Sequence, residues 1–216
     1  KQQIAVVVAI LLGYWLIITR GPLEPPGETI AAATDRAIFG EKHLWSQSKT
    51  WDPEGPLSTI PAVATGMLGI LVAPWVREKR VRNLALAGAA GLVLGLAWDP
   101  LFPINKALWT SSYVVFSGGF ACVILALCIW LIDIKGVRWW TKPFVIYGVN
   151  PLIAFVGSGI MAKLLDMWRL KSWSFQLFYE PYFPPKFASL LWGLSFVLFW
   201  LGVLWVFYRK KWYLRV

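Results

Sequence analysis

Apolar residues fill six long segments of the chain, and polar residues gather in the connections between them. Within a run such as IAVVVAILLGYWLII the apolar residues occupy every face, without the alternation of a membrane strand. A helix needs about 20 such residues to cross about 30 Å of hydrocarbon. The pattern predicts an all-α fold, a polytopic membrane helix bundle with six transmembrane helices at about 4–19, 57–76, 84–98, 113–132, 143–165 and 187–208.

The composition of the 216 residues agrees with a membrane protein. Hydrophobic residues make up 58% and charged residues only 15%, whereas a soluble domain carries about 25% charged residues. Soluble, disordered, coiled-coil and disulfide-scaffold classes are therefore excluded. Cys122 and Cys128 lie six residues apart in one apolar run and point to different helix faces, so we expect free thiols. Because the first residue, Lys1, is not a Met and the first apolar run begins three residues later without a signal-peptide cleavage site, we expect a piece of a longer protein whose beginning is missing.

The charged residues predict the orientation in the membrane. The 21 Lys and Arg residues exceed the 11 Asp and Glu residues by ten. The connections on one side, together with both chain ends, hold 12 basic residues against two acidic ones, and the other side holds nine of each. By the positive-inside rule the basic side is cytoplasmic, so both ends face the cytosol and the loop 20–56 lies outside. The basic excess thus indicates membrane lipid, and not nucleic acid, as its partner.

Two outer loops are long enough to have structure of their own. The loop 20–56 exceeds the usual length of a structureless connection, and its segment TIAAATDRAIFG has the apolar spacing of a short helix. It is expected to form a partly ordered lid. The second outer loop, 166–186, is rich in aromatic residues and prolines, as expected for a segment at the lipid headgroups.

Polar groups that suit a binding site collect at the predicted outer mouth of the bundle. The segment WDPEGPLSTIP carries Asp52 and Glu54, two carboxylates able to hold a cationic amine or sugar hydroxyls. The same residues are also typical of a turn, with Ser58 or Thr59 as the N-cap of the next helix. Both interpretations stay open. Further polar groups at this end are Asp35, Arg36, His43, Asn105, Lys106 and Ser112.

His43 is the only histidine in the chain. It is therefore the one obvious candidate for a general base near neutral pH, although a lone histidine in an outer loop is more often a solvated side chain. One histidine without cysteine partners or an HExxH spacing does not form a zinc site, so no metal is expected.

On the predicted cytoplasmic side, Asn150 lies inside the fifth apolar segment and is followed by Pro151. Proline frees the carbonyl of Tyr147, so this stretch offers an amide and a bare acceptor at membrane depth. Contact between helices and contact with a ligand are both open. The basic residues of this side suit either anionic lipid or the phosphates of an anionic cofactor; they include Arg77, Lys79, Arg80, Lys135, Arg138, Arg209, Lys210 and Lys211.

Five segments in order resemble the transmembrane acetyltransferase family of heparan-α-glucosaminide N-acetyltransferase, which includes bacterial relatives labelled as N-acetylglucosamine transporters. They are TDRAIFGEKHLW, DPEGPLSTIPAVATGMLG, PINKALWTSSYV, IDIKGVRWWTKPFVIYGVN and the terminal YRKKWYLRV. Together they cover nearly the whole chain.

The resemblance implies transfer of an acetyl group from cytosolic acetyl-CoA, the co-substrate, to the amine of an amino sugar on the outer side of the membrane. Residues 1–216 would form the C-terminal half of a multi-pass acyltransferase domain, in a homodimer of the bacterial inner membrane. The family's catalytic histidine is expected in the missing N-terminal half, so this fragment alone is expected to be inactive. Two other functions stay open, an amino-sugar or N-acetylglucosamine permease and a non-catalytic assembly half.

The candidate residues are grouped by the role that each is expected to have in this implied chemistry, and the family's histidine role is not carried over to His43. The predicted catalytic residues are His43, Asp52 and Glu54. The predicted amino-sugar ligands are Asp35, Arg36, Asn105, Lys106, Trp109 and Ser112. The predicted acetyl-CoA ligands are Asn150, Lys135, Arg138, Arg209, Lys210 and Lys211.

Overall fold

The computed structural model describes residues 2–214, and all regular structure within them is helical. The all-α prediction is therefore confirmed for this part of the chain. The chain divides into two compact units, Lys1–Gly136 and Val137–Val216.

The first unit is a bundle of four long helices with one short helix in its large loop. The long helices are α1 (Gln2–Ile18), α3 (Pro56–Arg77), α4 (Val81–Trp98) and α5 (Ser111–Cys128), and the short one is α2 (Ile30–Phe39). α5 continues as a π-helical segment, Ile129–Ile134. Single 3-10 turns flank α2 at Pro26–Glu28 and Glu41–His43.

The second unit contains α6 (Lys142–Gly148), α7 (Ser158–Met167), α8 (Leu170–Phe178) and α9 (Pro185–Arg209). A π-helical segment, Ile153–Gly157, leads into α7. The buried core of this unit is formed by Ile146, Trp200 and Leu204.

Four helices among residues 2–214 are long and apolar enough to cross a membrane: α3, α4, α5 with its extension, and α9. The bent pair of α6 and Ile153–Met167 qualifies together as a fifth. α1 has 17 residues and is about 25 Å long, shorter than the others. The chain is thus part of an integral membrane protein, and the number of six spans stays a prediction.

The fifth predicted helix, 143–165, is broken in the structure. α6 ends at Gly148, and the helix that resumes at Ile153 is bent by 85° from it. Pro151 lacks the N–H that would continue the helical ladder, which explains the position of the break. The carbonyl of Tyr147, expected to be a bare acceptor, instead accepts the Asn150 N–H at 3.4 Å and closes a tight turn.

Glycines bring the backbones of α4 and α5 into direct contact. Gly88, Gly91 and Gly95 lie on one face of α4. A Cβ at Gly91 would stand 2.8 Å from the Cα of Gly119, and one at Gly95 would stand 2.6 Å from the Cβ of Phe116. Small residues on one helix face are the usual means of close helix packing in membranes. This contact holds the two helices as one pair.

Replacing Gly119 with alanine is expected to destabilise the protein by about 1 to 3 kcal/mol, because overpacking forces the backbones apart. The added Cβ would lie 2.6 Å from the Leu92 nitrogen and 2.7 Å from the Gly91 carbonyl carbon. A lower thermal unfolding midpoint in neutral detergent measures the effect. Gly13→Ala is the control, since a Cβ there has no neighbour within 4 Å. Equal midpoints for the two variants would contradict the close packing.

The short helix predicted within TIAAATDRAIFG is confirmed as α2. Its N-cap is Thr29, whose hydroxyl accepts the Ala32 N–H at 3.1 Å. Ala31 of α2 is buried in one cluster with residues of α1 and of the α4–α5 connection: Tyr14, Ile18, Phe102 and Leu108. The large loop is therefore anchored on the end of the bundle where the α1 helix terminates.

Candidate functional site

Two acidic residues of the first unit, Asp35 and Asp52, meet at a sharp turn, Asp52–Gly55, which also carries Glu54 and lies directly before α3. Asp35 of α2 is only 1% exposed, and its Oδ2 accepts the Asp52 N–H at 3.0 Å. This hydrogen bond joins two segments 17 residues apart in the chain. The structure thus brings Asp35 and Asp52 together, and we call residues 52–55 the acidic turn.

The second oxygen of Asp35 has no hydrogen-bond partner among residues 2–214. Gly55 lies against this carboxylate, because a Cβ there would stand 2.7 Å from the Asp35 Cγ. Burial raises the pKa of the Asp35 carboxyl above its ordinary value; the Asp52 N–H bond lowers the pKa, the Asp52 charge raises it and Arg36 lowers it. A buried carboxyl with a raised pKa and a free oxygen is a typical feature of functional sites.

Asp52 and Glu54 have different environments in the acidic turn. The Oδ1 of Asp52 accepts the Glu54 N–H at 2.9 Å, which is the local bond expected of a turn-forming aspartate. The Glu54 side chain is exposed, and its carboxylate has no partner in the described part of the chain. Asp52 therefore shapes the turn, while the Glu54 carboxylate is available to a ligand.

The predicted capping role of Ser58 or Thr59 is wrong. α3 begins at Pro56 after the N-cap Gly55, and no side chain caps it. Because the two hydroxyls point back to the turn, they donate to carbonyls there: Ser58 to those of Pro53 and Gly55, both at 2.9 Å, and Thr59 to that of Gly55 at 3.0 Å. These bonds fix the acidic turn on the end of α3.

Arg36 connects two segments of the large loop by hydrogen bonds. Its Nη1 donates to the carbonyls of Gly27 and Thr50, each at 2.8 Å. The loop segments before and after α2 are thereby tied together beside the acidic turn. The structure gives Arg36 this supporting contact, and its predicted contact with a sugar stays a prediction.

His43 forms no hydrogen bond to the carboxylates of Asp35, Asp52 or Glu54 among the described residues. It is exposed in the 3-10 turn after Gly40, and its Nδ1 is 2.9 Å from the carbonyl oxygen of Phe39. In residues 2–214 no acidic side chain is bonded to its ring. The structure therefore does not join His43 to Asp52 and Glu54 as a catalytic group.

In and next to the α4–α5 connection, two of the predicted sugar ligands, Asn105 and Ser112, form hydrogen bonds within the fold. The Oδ1 of Asn105 accepts the N–H groups of Ala107 and Leu108, at 2.8 and 3.3 Å. The buried Ser112 hydroxyl lies 3.1 Å from that of Thr110, the N-cap of α5. The Lys106 side chain is exposed, and its ammonium has no partner among the described residues.

Trp109 faces the interior of the bundle. Its indole N–H donates to the Thr65 hydroxyl at 3.1 Å, and its ring packs edge-on against Tyr113 with centroids 5.3 Å apart. Its backbone has a positive φ of 50°, a conformation that non-glycine residues seldom adopt. Trp109 thus connects α3 with the start of α5.

Sequence reasoning missed Tyr14 and Thr110. Tyr14 is 2% exposed, and its hydroxyl donates to the Leu108 carbonyl at 2.5 Å, which ties α1 to the α4–α5 connection. Thr110 donates to the Pro103 carbonyl at 2.8 Å and accepts the Asn105 N–H at 3.0 Å. A tyrosine hydroxyl within an otherwise apolar run and a threonine before a helix start were the available signals.

In the second unit, Asn150 binds the C-terminal segment. It is fully buried, and its Oδ1 accepts the Leu214 N–H at 3.1 Å. Its Nδ2 has no partner in the part of the chain that the structure describes. Both interpretations of Asn150 therefore retain support: the oxygen makes an internal contact, and the amide nitrogen is a buried donor without a partner.

The cations at the end of α9 lie over aromatic rings. The Arg209 guanidinium is 5.0 Å from the Trp205 ring centroid, and the Lys210 ammonium is 4.5 Å from that of Trp212. Among residues 2–214, neither these two nor Lys211 forms an ion pair. The last residues of the terminal motif, 215 and 216, lie outside the described residues.

Two of the predicted cytoplasmic cations of the first unit form ion pairs. Lys79 forms an ion pair with Asp133 at 3.3 Å, and Arg80 forms one with Glu78 at 2.5 Å. Lys135 lies over Trp130 at 5.6 Å. Arg138 is exposed in the second unit, and its carbonyl accepts the Thr141 hydroxyl at 2.7 Å. Within residues 2–214, no three metal-binding side chains of the His, Cys, Asp and Glu types come together.

These features define an all-helical integral membrane protein with an acidic turn at one end of its first unit. No family model matches the chain. It is 27% identical over 208 residues to heparan-α-glucosaminide N-acetyltransferase of Mus musculus, a match that covers 86% of this chain and 30% of that protein. It is 28% identical over 203 residues to the Homo sapiens enzyme of the same name, covering 84% of this chain and 29% of that protein.

The chain therefore spans less than a third of the length of the curated relatives it matches. The resemblance to the heparan-α-glucosaminide N-acetyltransferase family, predicted from the five segments, is confirmed by these two relatives.

Proposed function

We propose that the protein transfers an acetyl group from cytosolic acetyl-CoA to the amine of an amino sugar on the outer side of the membrane. The similarity to two N-acetyltransferases over 84 to 86% of this chain carries the proposal. The chain acts as the C-terminal part of a longer homodimeric protein of the bacterial inner membrane, together with an N-terminal membrane part.

The acidic turn is the proposed acceptor site. The unpartnered Glu54 carboxylate accepts hydrogen bonds from the amine or hydroxyls of the sugar, and the turn that carries it is held by Asp35. The amine must lose a proton to attack the thioester carbon, so carboxylates beside it are suited to accept that proton. As the new C–N bond forms, the C–S bond breaks and coenzyme A leaves as its thiol.

The end of α9 and Asn150 form the proposed donor site. Arg209, Lys210 and Lys211 have the charge to hold the diphosphate and 3′-phosphate of coenzyme A. The unpartnered Nδ2 of Asn150 is a buried donor in the same unit. Polar groups buried at membrane depth are costly unless satisfied, which favours a ligand contact for this atom.

Purified full-length protein tests the proposal directly. Mixed with acetyl-CoA and glucosamine, it is expected to release free thiol in step with N-acetylglucosamine formation. Transport of N-acetylglucosamine into vesicles without thiol release would instead establish the permease function. Absence of both activities in folded full-length protein would favour a non-catalytic assembly role.

In the proposed arrangement of six spans, both chain ends lie in the cytosol and the large loop, residues 20–56, lies outside. Gln47 is exposed in that loop, and Gln47→Cys provides a label there. An impermeant thiol reagent is expected to label this cysteine in intact cells, whereas a cysteine replacing the exposed Lys142 should react only after lysis. The reverse pattern would overturn the orientation.

Replacing Lys210 and Lys211 with glutamine is expected to weaken coenzyme A binding about tenfold or more, because each charge-assisted hydrogen bond contributes about 1.5 to 3 kcal/mol. Binding is measured by calorimetry on full-length protein in neutral detergent, which removes anionic lipid. Lys142→Gln, on the same predicted side, is the control and should bind normally. Unchanged affinity in the double variant would leave the two lysines as membrane anchors.

A further inference from the structure

The first unit contains an elongated cavity of about 580 Å³ between α1, α3, α4 and α5. Apolar side chains and glycines form nearly all of its wall. The contacts around it define its two ends: the Ser111 hydroxyl donates to the Leu11 carbonyl at 2.7 Å near one end, and Val72 and Cys122 pack against Leu84 and Ala126 near the other. The cavity therefore runs along the helices, parallel to the direction in which they would cross a membrane.

On its α5 side, the cavity is about as long as one leaflet of a bilayer is thick. The lining residues of α5 extend from Tyr113 to Leu125, which is about 18 Å of helix. Half of a hydrocarbon core of about 30 Å is about 15 Å. Ile4 and Val8 of α1 line the cavity and are 55% and 47% exposed. The cavity is therefore open on its α1 side, and we call it the groove.

The polar groups of the wall concentrate at one end. The hydroxyl of Thr65, the indole N–H of Trp109 and the side chain of Tyr113 lie there, and Ser117 follows one turn along α5. Lys106 lies three residues before Trp109, and its backbone carbonyl accepts the Trp109 N–H at 3.2 Å. Its side chain is exposed, and the ammonium has no partner among the described residues. The groove is thus apolar along its length, and the segment that leads to its polar end carries an unpaired lysine.

We propose that this groove holds one acyl chain of a membrane phospholipid, with the phosphate beside Lys106. An extended hydrocarbon chain fits the apolar wall of the groove, and a phosphate suits the Lys106 ammonium, which has no partner among the described residues. The lateral opening lets a chain enter from the bilayer.

Gly69 offers a way to fill the groove without disturbing the backbone. It lines the cavity, and a Cβ there has no neighbour within 4 Å. Gly66 is one turn earlier on α3, also has open space for a Cβ, and is not part of the lining. Gly69→Phe and Gly66→Phe are therefore a blocking variant and its matched control. Gly118→Val is a second blocking variant, since its Cβ would touch only Leu68 at 3.4 Å.

The test uses full-length protein in vesicles that contain phosphatidylcholine with a diazirine in the middle of one palmitoyl chain. After irradiation, labelled peptides are mapped by mass spectrometry. Labelling of groove residues such as Leu68 and Val72 is expected to saturate as the probe fraction rises, whereas labelling of Leu198, which is 63% exposed on α9, should rise in proportion. Either blocking variant should lower groove labelling at least fivefold, and Gly66→Phe should leave it unchanged.

Three results would overturn the proposal. The first is labelling that follows side-chain exposure everywhere without saturation. The second is unchanged groove labelling in a folded blocking variant. The third is labelling of the groove by a diazirine fatty acid but not by the phospholipid, which would identify a free fatty acid as the occupant. The saturation measurement on unmodified protein decides the question if both blocking variants fail to fold.

Discussion

Replacing Asp35 with alanine is expected to lower the rate of acetyl transfer by about a hundredfold, because small displacements of positioning groups carry losses of that size. The alanine removes the acceptor for the Asp52 N–H and the group that packs against Gly55. The acidic turn then loses its attachment to α2. The measurement is thiol release by full-length protein at saturating acetyl-CoA.

Two further variants separate position from charge at this site. Asp35→Asn keeps an oxygen that can accept the Asp52 N–H, so it should retain more activity than Asp35→Ala if position dominates. Asp166→Ala removes an exposed carboxylate in the second unit and is the control, with normal activity expected. Normal turnover in a folded Asp35→Ala protein would contradict the role of the acidic turn.

The raised pKa of Asp35 also predicts a dependence of stability on pH. A carboxyl whose pKa is higher in the folded than in the unfolded protein contributes stability below the unfolded value of about 3.9, and that contribution is lost as the pH rises through the folded value. Asp35→Asn removes this loss. Its thermal midpoint relative to the unmodified protein should therefore improve from acid to neutral pH.

Replacing Glu54 with glutamine is expected to lower acetyl transfer well over tenfold while leaving the yield of folded protein unchanged. The carboxylate is exposed and makes no internal bond in the described residues, so its loss removes no contact from the fold. Its proposed partner is the amino sugar, where a charged acceptor is worth about 1.5 to 3 kcal/mol in a hydrogen bond.

The kinetic constants show which step Glu54 serves. A rise in KM for the amino sugar with unchanged kcat would indicate binding alone, and a fall in kcat would indicate a contact made in the transition state. Glu41→Gln, an exposed change in the same loop, is the control. Near-normal turnover of Glu54→Gln would show that the acidic turn is only a turn.

The hydrophobic pattern predicted the helical class of the protein because helix formation in an apolar medium depends on local sequence. It also located α2 within the large loop from its spacing. It did not predict the change of direction at 149–152. Proline indicates where a helix is interrupted, but not the angle of the bend. That bend of 85° accompanies the packing of Ile146 against Trp200 and Leu204.

Residue chemistry identified the acidic turn but not its support. Asp52 and Glu54 are two residues apart in the chain, so their proximity was readable from the sequence. The burial of Asp35 could not be read in this way. Its bond to Asp52 joins residues 17 positions apart, and the bond between Tyr14 and Leu108 joins residues 94 positions apart. Such contacts depend on how the helices pack, which one sequence without a fold does not specify.

The sequence by itself determined the helical class, the apolar segments, the charge asymmetry and the resemblance to the acetyltransferase family, because each depends on residue type and order. The tertiary structure alone decided which carboxylate is buried and which is free, that Asn150 binds the C-terminal segment, and that glycines of α4 and α5 meet while a groove stays open beside them. The physical reason is that burial and hydrogen bonding are properties of the space between elements, and that space exists only once the helices have packed.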